Sequence, residues 1–145
     1  MNQAFGTRCS GFPGSHTGPP VAAVHGPWLD NSHGHTKNNP YRTFGKPSDF
    51  GGASGPAMVW VFVDEDPRSL NDGGFAVGMN VPEWIDWPAT YHNMGGGFSF
   101  ADGHAEVKRW RDGSTKLIGG ASRKTIAPPT RDWSWIAQRT SSRFR

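Results

Sequence analysis

Apolar residues in this chain are concentrated in a few short stretches separated by glycine- and proline-rich sequence. The longest stretch covers residues 58–63 (Met-Val-Trp-Val-Phe-Val), and acidic residues and Pro67 follow it. An uninterrupted run of β-branched and aromatic residues of this length is typical of a strand buried on both faces. Residues 75–79 predict a short partner for this strand, with a turn at residues 71–74.

Residues 98–107 have the pattern of a β-hairpin. Asp102-Gly103 favours a two-residue turn, because glycine accepts a positive φ and aspartate tolerates one. That turn would pair Ala101 with His104 and Phe98 with Val107. One face of the predicted hairpin is therefore apolar, and it carries Phe98, Phe100, Ala105 and Val107.

The remaining segments predict little regular structure. Residues 82–88 are bracketed by prolines and have room for at most one helical turn, and residues 116–118 are a candidate edge segment. Asp132 is a candidate N-cap of a short helix that carries Trp133, Trp135 and Ile136. We expect one domain that is mainly β, with a small antiparallel sheet, short helices and long loops. It has three parts: a wrapped loop region (1–57), an antiparallel β core with an acidic loop (58–118) and a basic tail with a short tryptophan-containing helix (119–145).

Composition supports an ordered core with extensive loops. The 145 residues include 20 glycines and 12 prolines, yet aromatic residues make up 12% of the chain, which is unlike disordered sequence. The single cysteine, Cys9, excludes an intramolecular disulfide. The formal charge is only +3, but residues 111–145 hold eight basic and two acidic side chains. Such a tail is most often a solvated terminus.

The acidic loop is the first candidate site. Carboxylates gathered in a small space repel one another, and a hard cation relieves that repulsion while also accepting neutral oxygen ligands. Calcium suits an irregular loop because it accepts about 6 to 8 oxygens in flexible geometry. The alternative is capped turns with solvated carboxylates. The candidate ligands are Asp64, Glu65, Asp66, Ser69, Asn71 and Asp72.

His92, Asp102 and His104 form the second candidate site. An imidazole with an orienting carboxylate is suited to general base catalysis or to metal binding. The structural alternative is that Asp102 makes the turn and His92 locks the loop against the hairpin, and we favour it. His33 and His35 give a weaker indication of metal binding.

Four blocks of the sequence, in order, resemble prepilin-type processing-associated proteins, which are relatives of the G-type pseudopilins of type II secretion. The most specific block is His92 followed, after nine residues, by Asp102-Gly103. The other three are residues 63–73, residues 87–92 and residues 133–140, and together they span roughly the last two-thirds of the chain.

The resemblance implies the β half of an α+β pseudopilin-like fold, with a calcium ion in a loop beside the sheet. It implies a place in the cell envelope, the periplasm or outside the cell, and self-association or contact with other pseudopilin-like subunits. Members of the family carry an apolar N-terminal helix, whereas no run here approaches the roughly 18 apolar residues of a membrane helix, and no targeting signal opens the chain. The chain therefore resembles the head of such a protein without its stalk.

Two other functions compete with this interpretation. A small calcium-dependent hydrolase of esters or lactones would use His92 or His104 to activate water, with Asp102 orienting the ring. A polyanion or nucleic-acid binder would stack bases on Trp133 or Trp135 beside Arg131 and Arg139, although the low overall charge argues against it. The Gly-x-Ser-x-Gly elbow, the phosphate-binding loop and the dinucleotide fingerprint do not occur in the sequence.

Overall fold

The computed structural model describes residues 1–5, 26, 28–32, 38, 40–51, 55–71, 73–120 and 122–144. The strands in this part of the chain are β1 (Trp60–Val63), β2 (Val77–Gly78), β3 (Glu83–Trp84), β4 (Gly95–Phe100), β5 (Ala105–Arg109) and β6 (Lys124–Thr125). The helix α1 covers Arg131–Thr140, and short 3-10 helices cover Pro47–Phe50, Pro56–Met58 and Gly113–Thr115. The prediction of a mainly β fold with short helices and long loops is confirmed.

The larger sheet is antiparallel, with the strand order β1-β4-β5. β1 is therefore an edge strand of this sheet, and the prediction that it is buried on both faces is wrong. Trp60 is fully buried against the core, whereas Phe62 is 58% exposed on the opposite face. The register with β4 shifts between these two residues, as in a β-bulge. Among the described residues, the helix and the second sheet pack on the face that carries Trp60, and the opposite face carries the exposed Phe62.

The β4–β5 hairpin forms as predicted, but in a different register. Ser99 pairs with Ala105 and Phe98 with Glu106, while the N–H of Phe100 donates to the carbonyl of His104. The loop is thus three residues long, with Gly103 at φ +95°. A slip of one residue exchanges the faces of a strand. Val107 is consequently 65% exposed instead of lying beside Phe98.

A second antiparallel sheet has the strand order β2-β3-β6. Val77 of β2 pairs with Trp84 of β3, so the prediction that residues 75–79 partner β1 is wrong. Residues 116–118 do not form a strand: Leu117 is buried in the core and Ile118 is 83% exposed. Strands of two residues carry no periodic pattern, which explains why the sequence did not indicate this sheet.

The N-cap of helix α1 lies two residues before the predicted one. Thr130 is the N-cap, and its hydroxyl accepts a hydrogen bond from the N–H of Trp133. Asp132 lies in the first turn, fully buried, and its carboxylate accepts hydrogen bonds from the N–H groups of Arg111 and Asp112 and the hydroxyl of Thr115. Asp132 therefore anchors the helix to the segment after β5.

Aromatic side chains dominate the main core, which lies between the two sheets and α1. Its fully or almost fully buried members are Trp60, Phe75, Val77, Trp84, Trp87, Phe98, Phe100, Trp110, Leu117, Ile126 and Ile136. A smaller cluster contains Ala4, Leu29, Tyr41, Phe44 and Val59.

Asn2 connects distant parts of the chain within this packing. Its buried side-chain amide donates to the carbonyls of Trp60 and Thr140, and its backbone N–H donates to that of Val61. The start of the chain is thereby joined to β1 and to the end of α1. Among the described residues, no helix has the length and apolar character needed to span a bilayer.

Candidate functional site

The uncovered face of the larger sheet, which we call the outer face, is formed by Phe62, Gly97, Ser99, Ala105 and Val107. Alternation along β4 directs Phe98 and Phe100 into the core, so Gly97 and Ser99 lie on the opposite side. Phe62 pairs with Ser99 from β1, and Val107 pairs with Gly97 from β5. Two exposed apolar side chains thus flank a central strand whose own outward residues are small.

Asp64 and His92 border the outer face at the end where β4 begins. The carboxylate Oδ2 of Asp64 accepts from the N–H of Gly97 at 2.9 Å and lies 3.3 Å from Nε2 of His92. A Cβ atom at position 97 would lie 2.8 Å from that same oxygen, so glycine leaves the space for this contact. Both side chains are about half exposed.

Asp66, the predicted metal ligand that is most buried, is paired with a cation of the chain itself. The Arg68 guanidinium donates to both of its oxygens, Nε to Oδ1 at 3.0 Å and Nη2 to Oδ2 at 2.8 Å. Hydrogen bonding from Arg68 outweighs burial and holds the pKa of Asp66 below its usual value. Arg68 also donates to the carbonyl of Leu117, which ties the loop to the core. A metal ion at Asp66 would have to displace this guanidinium.

The other predicted ligands have separate surroundings. The hydroxyl of Ser69 donates to Oε1 of Glu65 and accepts from the N–H of Trp87. Asn71 is exposed, and Asp72 lies outside the described residues. Across the described part of the chain, no group of three or more His, Cys, Asp or Glu side chains is arranged to hold a metal ion. The structure thus places Ser69 beside Glu65 and Asp66 beside Arg68, and calcium binding by these residues stays a prediction.

Asp102 and His104 meet at the tip of the hairpin. Nδ1 of His104 and Oδ1 of Asp102 share a hydrogen bond of 2.6 Å, which lowers the pKa of Asp102. The imidazole of His104 stacks on Phe100, with ring centroids 4.2 Å apart. The pair fixes the turn, as the structural alternative for Asp102 predicts.

His92 does not join this pair. It lies just before β4, whereas Asp102 follows the end of β4, and a strand of that length separates two points by roughly 15–20 Å. The predicted group of His92, Asp102 and His104 is therefore divided between the two ends of the hairpin. His33 and His35 lie outside the described residues.

The tryptophans of the basic tail are engaged within the protein. Arg139 and Lys108 both lie over the ring of Trp135, at 4.4 and 5.0 Å from its centroid. The indole of Trp135 also packs against Phe98, and the indole N–H of Trp133 donates to the carbonyl of Gly78. Both tryptophans are half-buried, and the contacts of Trp135 occupy part of the ring surface that stacking with a base would use.

Sequence reasoning missed two features of this region. Arg68 follows Asp66 by two residues, and this spacing, with Pro67 between them, was a usable signal for an ion pair within a turn. The exposure of Val107 had no such signal, because it depends on the length of the hairpin loop.

The chain has no match among the models of known protein families. Neither the curated proteins nor the solved structures contain a match to it.

Proposed function

We propose that this chain is a structural interaction domain, similar to the head of a pseudopilin, that associates with a second copy of itself through the outer face. Related pseudopilin-like subunits are the other partners that the resemblance implies. Such a domain functions in the cell envelope, in the periplasm or outside the cell.

The observation that carries this proposal is the exposure of Phe62 and Val107 on one sheet face. They are 58% and 65% exposed, and they lie on strands either side of β4. Burying a side chain of this kind completely contributes about 1.5–3 kcal/mol. Ser99, between them, is small enough to let a partner approach the sheet, whereas the Asp64 carboxylate occupies the space above Gly97.

The face is a better candidate for association than the edge of the sheet. The sheet has two edge strands. One of them, β5, carries Lys108 and Arg109. The other, β1, accepts a hydrogen bond at Val61 from the N–H of Asn2. Charged residues, lysine above all, are typical of edges that avoid pairing with another strand. Association through the outer face buries apolar surface and leaves these charges in solvent.

Calcium is the second part of the proposal, and it is supported by the resemblance rather than by the geometry. Its ligands would include Asp64 and Glu65, which accept hydrogen bonds from Gly97 and Ser69, whereas Asp66 is held by Arg68. A bound ion would neutralise charge beside the sheet and stabilise the acidic loop.

The ester or lactone hydrolase is the weaker alternative. It requires a general base with its carboxylate, and Asp102 pairs with His104 at the exposed tip of the hairpin, whereas His92 pairs with Asp64 at the other end. The interaction role, in contrast, uses the exposed apolar side chains of the outer face.

Association is tested by measuring molar mass over a range of concentrations by sedimentation equilibrium. We expect a monomer–dimer equilibrium for the natural sequence. Phe62→Asp and Val107→Asp each place a charge on the outer face and should weaken the dimer by at least about tenfold. Ile118→Asp is the matched control, because Ile118 is equally apolar and 83% exposed but lies outside the sheet.

The proposal fails if the natural chain stays monomeric up to millimolar concentration, or if all three substitutions have the same effect. Circular dichroism establishes that each variant is folded.

A further inference from the structure

A second feature, distinct from the outer face, is a cavity of about 440 Å³ between the first residues of the chain, residues 44–50 and β1. Its volume falls within the range of about 300–1,000 Å³ that is typical of small-molecule sites. Phe5, Phe44, Phe50 and Val61 provide apolar lining, and Lys46 is also part of the wall.

The three phenylalanines form a continuous aromatic surface. Phe44 and Phe50 stack with centroids 4.9 Å apart and planes at 8°. Phe5 is tilted against both, at 5.2 and 6.0 Å. Phe44 is buried, whereas Phe5 and Phe50 are half-buried and keep accessible surface. A flat aromatic group can contact these rings with the offset or edge-to-face geometry that aromatic pairs favour.

Lys46 supplies a positive charge at this surface. Its side chain is exposed, and within the described residues no carboxylate forms a salt bridge with it. The nearby Asp49 is not part of the cavity wall, and its Oδ2 accepts hydrogen bonds from the N–H groups of Gly45 and Lys46. The ammonium group is thus available to an anion whose apolar part enters the cavity.

We infer that this cavity binds a small aromatic carboxylate. The ring system lies against Phe5, Phe44 and Phe50, and the carboxylate pairs with the ammonium of Lys46. The volume accommodates a two-ring ligand. A cationic ligand of the same shape lacks the favourable charge interaction and meets Lys46 with like charge.

Binding is tested on the whole chain by titrating naphthylacetate into ¹⁵N-labelled protein and following amide chemical shifts. We expect saturable shifts concentrated at Gly45, Lys46 and Val61. Naphthylmethylamine, which has the same rings and the opposite charge, should bind more weakly.

Three variants separate the contributions. Lys46→Gln should raise the dissociation constant about 2- to 5-fold, as expected for an exposed ion pair. Phe50→Leu keeps an apolar side chain but removes one ring, and it should also weaken binding. Lys124→Gln is the control, because Lys124 is an equally exposed lysine on β6.

The inference is overturned if the largest shifts lie elsewhere, or if the amine binds as tightly as the carboxylate. It is also overturned if Lys46→Gln and Lys124→Gln give the same dissociation constant as the natural chain. The amide spectrum itself reports whether each variant is folded.

Discussion

Asp66 is 4% exposed, and its charge is balanced by a single guanidinium. A buried carboxylate without a partner is strongly unfavourable, so Arg68 is the residue on which the acidic loop depends most directly. Half of the Arg68 side chain remains in solvent, which limits what the pair contributes by charge alone. Arg68 stabilises the loop mainly by donating hydrogen bonds to both carboxylate oxygens of the buried Asp66.

We predict that Arg68→Ala lowers the free energy of unfolding at pH 7 by about 1–3 kcal/mol, because Oδ2 of the buried Asp66 loses its guanidinium donor while Oδ1 keeps the hydrogen bond from the backbone N–H of residue 68. The folded-state pKa of Asp66 is depressed, so the stability it contributes is present above the unfolded pKa of about 3.9 and is lost as the pH falls through the folded value. The difference between the two proteins should therefore shrink below about pH 4. Urea denaturation at several pH values measures it.

Arg109→Ala is the control for this prediction, since Arg109 is exposed on β5. If the loss of unfolding free energy caused by Arg68→Ala were the same at every pH, the role given to the Asp66 carboxylate would be wrong.

Individual residues were predicted unevenly by the sequence. The residues that make the turn at Asp102-Gly103 were identified, because turn chemistry is local. The sequence did not identify Asp64 as the partner of His92. The two residues are 28 positions apart, and the pairing of β1 with β4 brings them together.

At the scale of elements, the hairpin β4–β5 carries the outer face, and its loop decides which side chains that face presents. Gly103 has φ +95°, a conformation that is strained for any residue with a side chain. The three-residue loop and the exposure of Val107 both depend on it.

We predict that Gly103→Ala destabilises the domain by about 1 kcal/mol, because alanine is disfavoured at this φ. Gly113→Ala is the matched control: its added Cβ meets nothing within 4 Å, and Gly113 has no positive φ. Thermal melting of the two variants measures the difference. Equal melting temperatures would mean that the loop adopts another conformation in solution.

Elements with a strong pattern were predicted well, and those without one were not. The apolar run at Trp60–Val63 and the hairpin were both identified by residue type. The register failed because Ala101 belongs to the loop, which no alternation rule indicates. The helix was found through its tryptophans, but Thr130 caps it instead of Asp132, whose carboxylate is used by the segment after β5.

At the scale of the whole molecule, the two small sheets and helix α1 of the described residues share an aromatic core. The class of fold followed from composition and short apolar runs. The arrangement of the sheets depends on contacts between residues far apart in sequence, such as Glu83 with Arg123, and a single sequence contains no record of them.

The stability of the whole domain also tests calcium. If calcium binds, a 100-fold excess over its dissociation constant adds about 2.7 kcal/mol to the free energy of unfolding. We then expect a melting temperature about 10 °C higher in calcium than in EGTA. Asp64→Asn and Glu65→Gln should reduce the difference, and magnesium at equal concentration is the control. Identical melting in calcium and EGTA would remove the ion from the proposal.

The hydrogen bonds of Asn2 have a consequence for how the protein folds. Its amide joins carbonyls at positions 60 and 140, so residues near both ends of the sequence complete a single buried network. Closing a loop of this length is entropically unfavourable before other contacts form, which makes folding slow for a chain of this size. During synthesis on the ribosome, this network cannot be completed until the segment around Thr140 has left the exit tunnel, and α1 cannot pack against the core before then.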